Sequence, residues 1–176
     1  MNEFLTDLKE IKARARKEME KGAVTDNYKA DVKAVTKVLN QVLATEIVCV
    51  LRYKRHYYMA SGINSEAVKA EFLQHANEEQ QHADWIATRI TQLNGEPDFN
   101  PEGLASRSHS EYAEGHNLIE MIREDLFAER IAIESYSEIV RWLGDKDPTS
   151  RRLIEEILKV EEEHAEDLKT LLQKAS

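Results

Sequence analysis

Cysteine, proline and glycine are scarce in this chain: one, three and six among 176 residues. A single cysteine, Cys49, excludes an intrachain disulfide framework and any zinc or iron–sulfur site built from the cysteines of one chain. So little proline and glycine disfavours a sheet protein with many tight turns and favours long helices. No apolar run approaches the ~20 residues of a membrane-spanning helix. The opening residues, Met1-Asn2-Glu3-Phe4-Leu5, lack the basic start and apolar stretch of a signal peptide. These absences lead us to expect a soluble, cytoplasmic protein. Basic residues are also in deficit. Lysine and arginine number 24 against 33 acids, a net charge of −9, which makes DNA or an anionic membrane an unlikely main partner.

What is present suffices for one core. Hydrophobic residues make up 41%, which excludes wholesale disorder at a length of about one domain. Phe4, Leu5, Leu8, Ile11, Ala15 and Met19 recur at helical spacing, predicting a short amphipathic helix that ends near Gly22. We divide the chain into this segment, 1–24, and a bundle, 25–176. The first long helix is expected from a cap at Thr25 or Asp26 to about Ala60. Its stripe is Val32, Val35, Leu39, Val42, Leu43, Ile47, Val50 and Leu51. The second is expected from Asn64 or Ser65 to about Asn94, with Val68, Phe72, Ala76, Trp85, Ile86 and Ile90 inward. Residues 95–114 read as a long crossover, able to run the length of a bundle and reverse polarity. A third helix is predicted over Gly115–Leu143, stopped by Gly144. A fourth starts at Asp147-Pro148. The expected fold is all-α: four long helices with one long crossover between helices two and three, plus the N-terminal helix.

Glu-x-x-His occurs twice, as Glu79-Gln80-Gln81-His82 on the second long helix and Glu161-Glu162-Glu163-His164 on the fourth. Residues three apart share a helical face, so each pair aims a carboxylate and an imidazole at one point. Glu46 and Glu129, on the first and third helices, precede these motifs by 33 and 32 residues. Each is followed seven residues on by a tyrosine, Tyr53 and Tyr136. The two halves thus repeat one design. Four carboxylates gathered in an apolar core would repel one another and lose their hydration, unless they take up protons or cations. Two divalent metals balance the charge, and oxygen-rich ligation with one imidazole each suits iron or manganese. Glu79 and Glu161 are placed to bridge, with Glu46 and Glu129 terminal.

This layout resembles the ferritin-like di-iron carboxylate superfamily. The segments 71–97, 128–133 and 161–168 resemble bacterioferritin and the Dps-like mini-ferritins, and the likeness runs from about residue 30 to 172. The resemblance implies an intra-subunit ferroxidase centre formed by Glu46, Glu79, His82, Glu129, Glu161 and His164. There two Fe(II) would be oxidised by hydrogen peroxide or dioxygen, and Fe(III) stored in a hollow homo-oligomer that protects against oxidative stress. Tyr53 matches the family's tyrosine beside the centre, as a hydrogen-bond or electron donor. Bacterioferritins bind haem through a methionine after the first motif's glutamate. Gln80 stands there, so no haem is expected. The chain runs 12 residues past His164, without the fifth helix of 24-subunit shells, which favours a dodecamer. The cysteine pair frequent in the Dps-like branch is missing. A di-metal oxygenase, a manganese catalase and a DNA-binding Dps-type protein are the alternatives.

Other residues take plainer readings. Glu78, Glu162 and Glu163 are expected on solvated faces, Tyr136 in packing and Cys49 as a buried filler. His109 and His116 are expected in solvent. His75, one turn before Glu79, is read either as packing or as a group serving the centre. The basic residues Lys9, Lys12, Arg14, Arg16 and Lys17 are read as the charged face of a docked helix, with DNA contact weak and salt-sensitive.

Overall fold

A computed structural model of the chain describes residues 7–62 and 65–175. Phe4, Leu5 and the alternative cap at Asn64 lie outside them, as does the stretch Met1–Leu5 in which no signal peptide is expected. The elements are α1 (Leu8–Lys17), α2 (Val32–Met59), α3 (Ser65–Gln92), α4 (Leu104–Arg107), α5 (Leu118–Leu143) and α6 (Pro148–Ala175), with no strand among the described residues. The four long helices are those expected, and α4 is a single turn within the crossover.

Two starts differ from expectation, and capping explains both. The first bundle helix begins at Val32. Asp31 accepts hydrogen bonds from the backbone N–H of Lys33 and Ala34, a better cap than Thr25 or Asp26. The third begins at Leu118, where the side chain of Asn117 accepts from Glu120 N–H. Gly144 ends α5 at a positive φ of 49°, which a residue with a Cβ adopts only with strain. Asp147 closes the start of α6, accepting from Ser150 N–H at 2.9 Å.

α2 packs mainly on α3, and α5 on α6, while α2 also meets α5 and α3 meets α6. Side-chain pairs give the directions. Tyr53 reaches Glu129 and Tyr136 reaches Glu46, so α2 and α5 run antiparallel. Glu79 faces His164 and His82 faces Glu161, so α3 and α6 do too. The short α2–α3 and α5–α6 turns make each of those pairs antiparallel. α3 and α5 therefore run the same way, which is why the connection between them must travel the length of the bundle.

The apolar core comes in two parts. One is built from Val35, Leu39, Leu43, Ile86, Ile90, Ile139, Ile154 and their neighbours. The other gathers Val68, Phe72, Ala76, Met121, Ile122 and Leu168. Buried polar residues lie between. This is why Leu51 and Trp85, both expected inside, are half-exposed. The inward arc of α2 runs through Glu46, Arg52 and His56, and an arc drawn through apolar residues alone is rotated away from it.

α2 is also the one described helix long and apolar enough to cross a membrane by length and composition, contrary to expectation. Half of its apolar window is buried against the other helices. α1 buries none of its residues, and Met19 is exposed rather than packed. The N-terminal segment is held instead through Glu18, whose carboxylate accepts from Asp26 N–H at 3.0 Å and from Lys21 Nζ at 3.0 Å.

Candidate metal centre

The six acidic and imidazole residues singled out above converge between the two apolar clusters. All are at least 98% buried. They form two overlapping groups: Glu46, Glu79, His82 and Glu161 in one, Glu79, Glu129, Glu161 and His164 in the other. Within each group the donor atoms lie within 4.8 Å of one another. Glu79 and Glu161 belong to both.

Each shared carboxylate splits its oxygens between the groups. His82 Nδ1 lies 3.1 Å from Glu161 Oε1, 3.2 Å from Glu46 Oε2 and 3.5 Å from Glu79 Oε2. His164 Nδ1 lies 3.2 Å from Glu161 Oε2, 3.5 Å from Glu79 Oε1 and 3.9 Å from Glu129 Oε1. Glu79 and Glu161 thus offer one oxygen to each side, as bridging ligands do. Glu46 and Glu129 each serve one side.

The halves are related by a local pseudo-two-fold. Tyr53 Oη donates to Glu129, and Tyr136 Oη donates to Glu46 in the same way. Tyr136 is therefore not mere packing: it repeats for one terminal carboxylate what Tyr53 does for the other. The equal Glu-to-Tyr spacing of seven residues was the signal for this pairing.

Charge in the pocket is compensated by protons. Burial and the charge of Glu79 push Glu46 up to about 8. Burial, with Glu79 and Glu161 nearby, carries Glu129 well above the carboxylate range. Burial and Glu161 also act to raise Glu79, but its contacts with Glu46, His164 and His82 prevail and lower it. Burial works against charge on both histidines, yet the surrounding carboxylates win. His82 rises far above the ordinary imidazole value through Glu161, Glu46 and Glu79, and His164 is pushed up to about 12 by Glu161 and Glu79.

The donor set fits a pair of dications on independent grounds. Glu79 Oε1, Glu129 Oε2, both oxygens of Glu161 and His164 Nδ1 are buried with no hydrogen-bond partner. An unsatisfied buried polar atom costs about 1–3 kcal/mol, and more when charged. Four carboxylate oxygens and one imidazole nitrogen aimed at one place form the donor set of a cation site. Two dications carry the four positive charges that balance four carboxylates. One imidazole and several carboxylate oxygens per ion is a set for iron or manganese.

Several neighbours were misjudged from sequence. Glu78, expected in solvent, accepts from His164 Nε2 at 2.8 Å. That bond fixes the ring so that Nδ1 faces the cavity, the usual arrangement of a carboxylate behind a metal-binding histidine. His75 is fully buried, stacks on His164 with ring centroids 3.9 Å apart, and sets Nδ1 3.2 Å from Tyr53 Oη. Burial, with His164 alongside, holds His75 down at about 3. His109, expected in solvent, is half-buried, and burial lowers it. Glu162, Glu163 and His116 are exposed and Cys49 is buried, as read. A second buried network escaped notice altogether. Arg52 Nε and His56 Nδ1 each lie 2.8 Å from Asp125, while Arg52 Nη1 and His56 Nε2 reach Ser110 Oγ and the carbonyls of Glu111 and Ala113. It ties the crossover to α2 and α5. Lone charged residues in a helix give no such signal, since only the fold brings them together.

Known proteins align with this architecture. The family described as Ferritin-like domain matches residues 36–176. A bacterioferritin of Brucella melitensis is 31% identical over 136 residues, 76% of this chain and 80% of that one. A nutrient stress-induced DNA-binding protein of Nostoc is 31% identical over 147 residues, 81% and 79% of the two chains. The solved structure of a bacterioferritin-related protein from Bacteroides fragilis, described as a dodecameric thioferritin, superposes with a TM-score of 0.80 at 32% identity, covering 84% of this chain and 89% of that one. With the bundle, the crossover and the matched family segment all in agreement, the chain belongs to the ferritin-like family.

Proposed function

We propose that the protein is a ferroxidase and iron-storage mini-ferritin. Its substrate is Fe(II), bound as a pair by Glu46, Glu79, His82, Glu129, Glu161 and His164. Two Fe(II) each give up one electron. Hydrogen peroxide takes the two electrons and two protons and leaves as two waters; dioxygen is the alternative acceptor. The observation that carries this reading is the split of Glu79 and Glu161 between two donor groups, with five buried polar atoms left without a hydrogen-bond partner.

The chain's own groups have defined tasks. Glu79 and Glu161 hold the two ions at a common spacing. His82 and His164 supply one nitrogen each, and Glu78 orients the second ring. Tyr53 and Tyr136 hold the terminal carboxylates in place, and Tyr53 is the nearer to a further polar group, His75, so we assign it the electron- or proton-donating role. The two apolar clusters on either side exclude bulk water. We assign no haem, because Gln80 occupies the relevant position and is exposed.

Storage requires a hollow assembly. We read the protein as a homododecamer in preference to a 24-mer, in line with the dodecameric description of the Bacteroides fragilis relative. Residues 1–24 form an appendage to a bundle over 25–176. The net charge of −9 argues against DNA as a partner.

The test joins catalysis to size. Glu79→Ala and His82→Ala should each slow Fe(II) oxidation by orders of magnitude while the protein elutes as an intact particle. Iron measured on that particle should mineralise in the parent. Parent-like oxidation in both variants, or a parent no larger than a dimer, would refute the assignment.

A further inference from the structure

The pseudo-two-fold that relates the halves of the centre fails at one place. Positions on α3 correspond to positions on α6 through Glu79 with Glu161 and His82 with His164. By that register His75 corresponds to Ile157, Glu71 to Leu153, Glu78 to Val160, and Asp167 of α6 to Trp85 of α3. One end of the centre is therefore apolar and the other carries two carboxylates and an imidazole beyond those needed for the pair. These three, Glu71, His75 and Asp167, place their donor atoms within 4.8 Å of one another.

The imidazole decides what the group is for. Tyr53 commits its one proton to Glu129, so its oxygen can only accept from His75 Nδ1. Nδ1 therefore carries the proton, and Nε2 presents a lone pair. That atom is buried, has no hydrogen-bond partner, and points at Glu71 Oε1 and Asp167 Oδ2, each 3.9 Å away. A nitrogen lone pair facing two carboxylate oxygens is repulsive, and the separations are too long for any N–H to span. They suit an ion between them, since ligand distances near 2.1 Å place two donors up to about 4.2 Å apart. Glu71 bears the strain independently: burial and the charge of Asp167 raise its carboxyl.

We propose that Glu71, His75 and Asp167 form a third divalent-cation site, one helical turn from the centre, through which cations reach it. Glu71 and Asp167 are partly exposed, with side-chain accessibilities of 29% and 52%, while His75 behind them stacks directly on His164. The site thus spans from solvent to the ligand shell. An iron-like dication with mixed oxygen and nitrogen preference is the class it takes. The proposal rests on the two-cation reading of the centre, and the experiment separates the two.

Cobalt(II) is the probe, because it mimics Fe(II) without being oxidised on the same path. Crystals of the full chain with excess cobalt should show three anomalous peaks per subunit, the third between Glu71, His75 and Asp167. Equilibrium dialysis should count three cobalt ions in the parent and two in the Glu71→Gln/Asp167→Asn double variant, whose part-exposed sites spare the fold. The variant's centre should also fill about tenfold more slowly or worse, as loss of a charged entry predicts. Two peaks in the centre and none beyond it would overturn the third site and leave the centre standing. A peak only at Glu71, His75 and Asp167 would keep this site and overturn the centre. Equal filling rates would overturn passage through it.

Discussion

The hydroxyls of Tyr53 and Tyr136 are the smallest parts on which the centre depends. Each holds a terminal carboxylate from the opposite half of the bundle. Outer partners of metal ligands typically change affinity by 10- to 100-fold when removed. Tyr53→Phe and Tyr136→Phe should each weaken cobalt binding by about that factor, read by spectroscopic titration. An effect confined to Tyr53 would contradict the two-fold relation. Protons give a second measure. Glu46 is pushed up to about 8, so near neutral pH it holds a proton that a cation must displace, and burial beside Glu79 and Glu161 raises Glu129 in the same direction. Cation affinity should rise as pH climbs through about 8. Calorimetry in buffers of different ionisation heat should show protons released as the centre fills; a count near zero would refute the exchange. The sign for stability is the reverse. A carboxyl raised in the folded protein stabilises the cation-free state below its unfolded pKa and loses that contribution as pH rises through 8. At this scale the sequence was informative: spacing singled out the six residues that the fold brings together. Glu78 and His75 were harder to read, because a neighbour in sequence 100° round a helix becomes a partner only when another helix supplies the other half of the contact.

Among the elements, the crossover needs the most explanation, since a long irregular segment must be held to a helical surface. Arg52, His56 and Asp125 do this from buried positions, and the first two reach the backbone or side chains of residues 110–113. Removing one partner of such a buried charged group typically costs about 3–5 kcal/mol, because the others stay uncompensated. Asp125→Ala should therefore lower the free energy of unfolding by about that amount in urea titrations. A loss under 1 kcal/mol would mean that the network is not what fastens the segment. Helix number, order and ends within a few residues were legible from periodicity and stop signals. The starts of α2 and α5 were not, because Asp31 and Asn117 compete with other good capping residues and only the backbone's course selects between them. The inward face of α2 was half-legible. Apolar residues marked the two core clusters, but the polar stretch between them follows the same helical face and reads, in sequence, as surface.

For the whole molecule, the features left outward are large apolar side chains. Phe127 is 59% exposed, Tyr58 76% and Trp142 45%. Single exposed hydrophobics are ordinary, yet the proposed storage function requires surface buried against copies of the chain, and these side chains are available for it. A second consequence lies in how the donors are shared between the two helical hairpins. The first contributes Glu46, Glu79 and His82 to one group and lends Glu79 to the other; the second contributes Glu129, Glu161 and His164 and lends Glu161 back. Neither hairpin owns a complete set. On the proposed function, a bound pair of ions would act as a rivet through the seam of the molecule, so that the act of taking up cargo would also lock the container's wall.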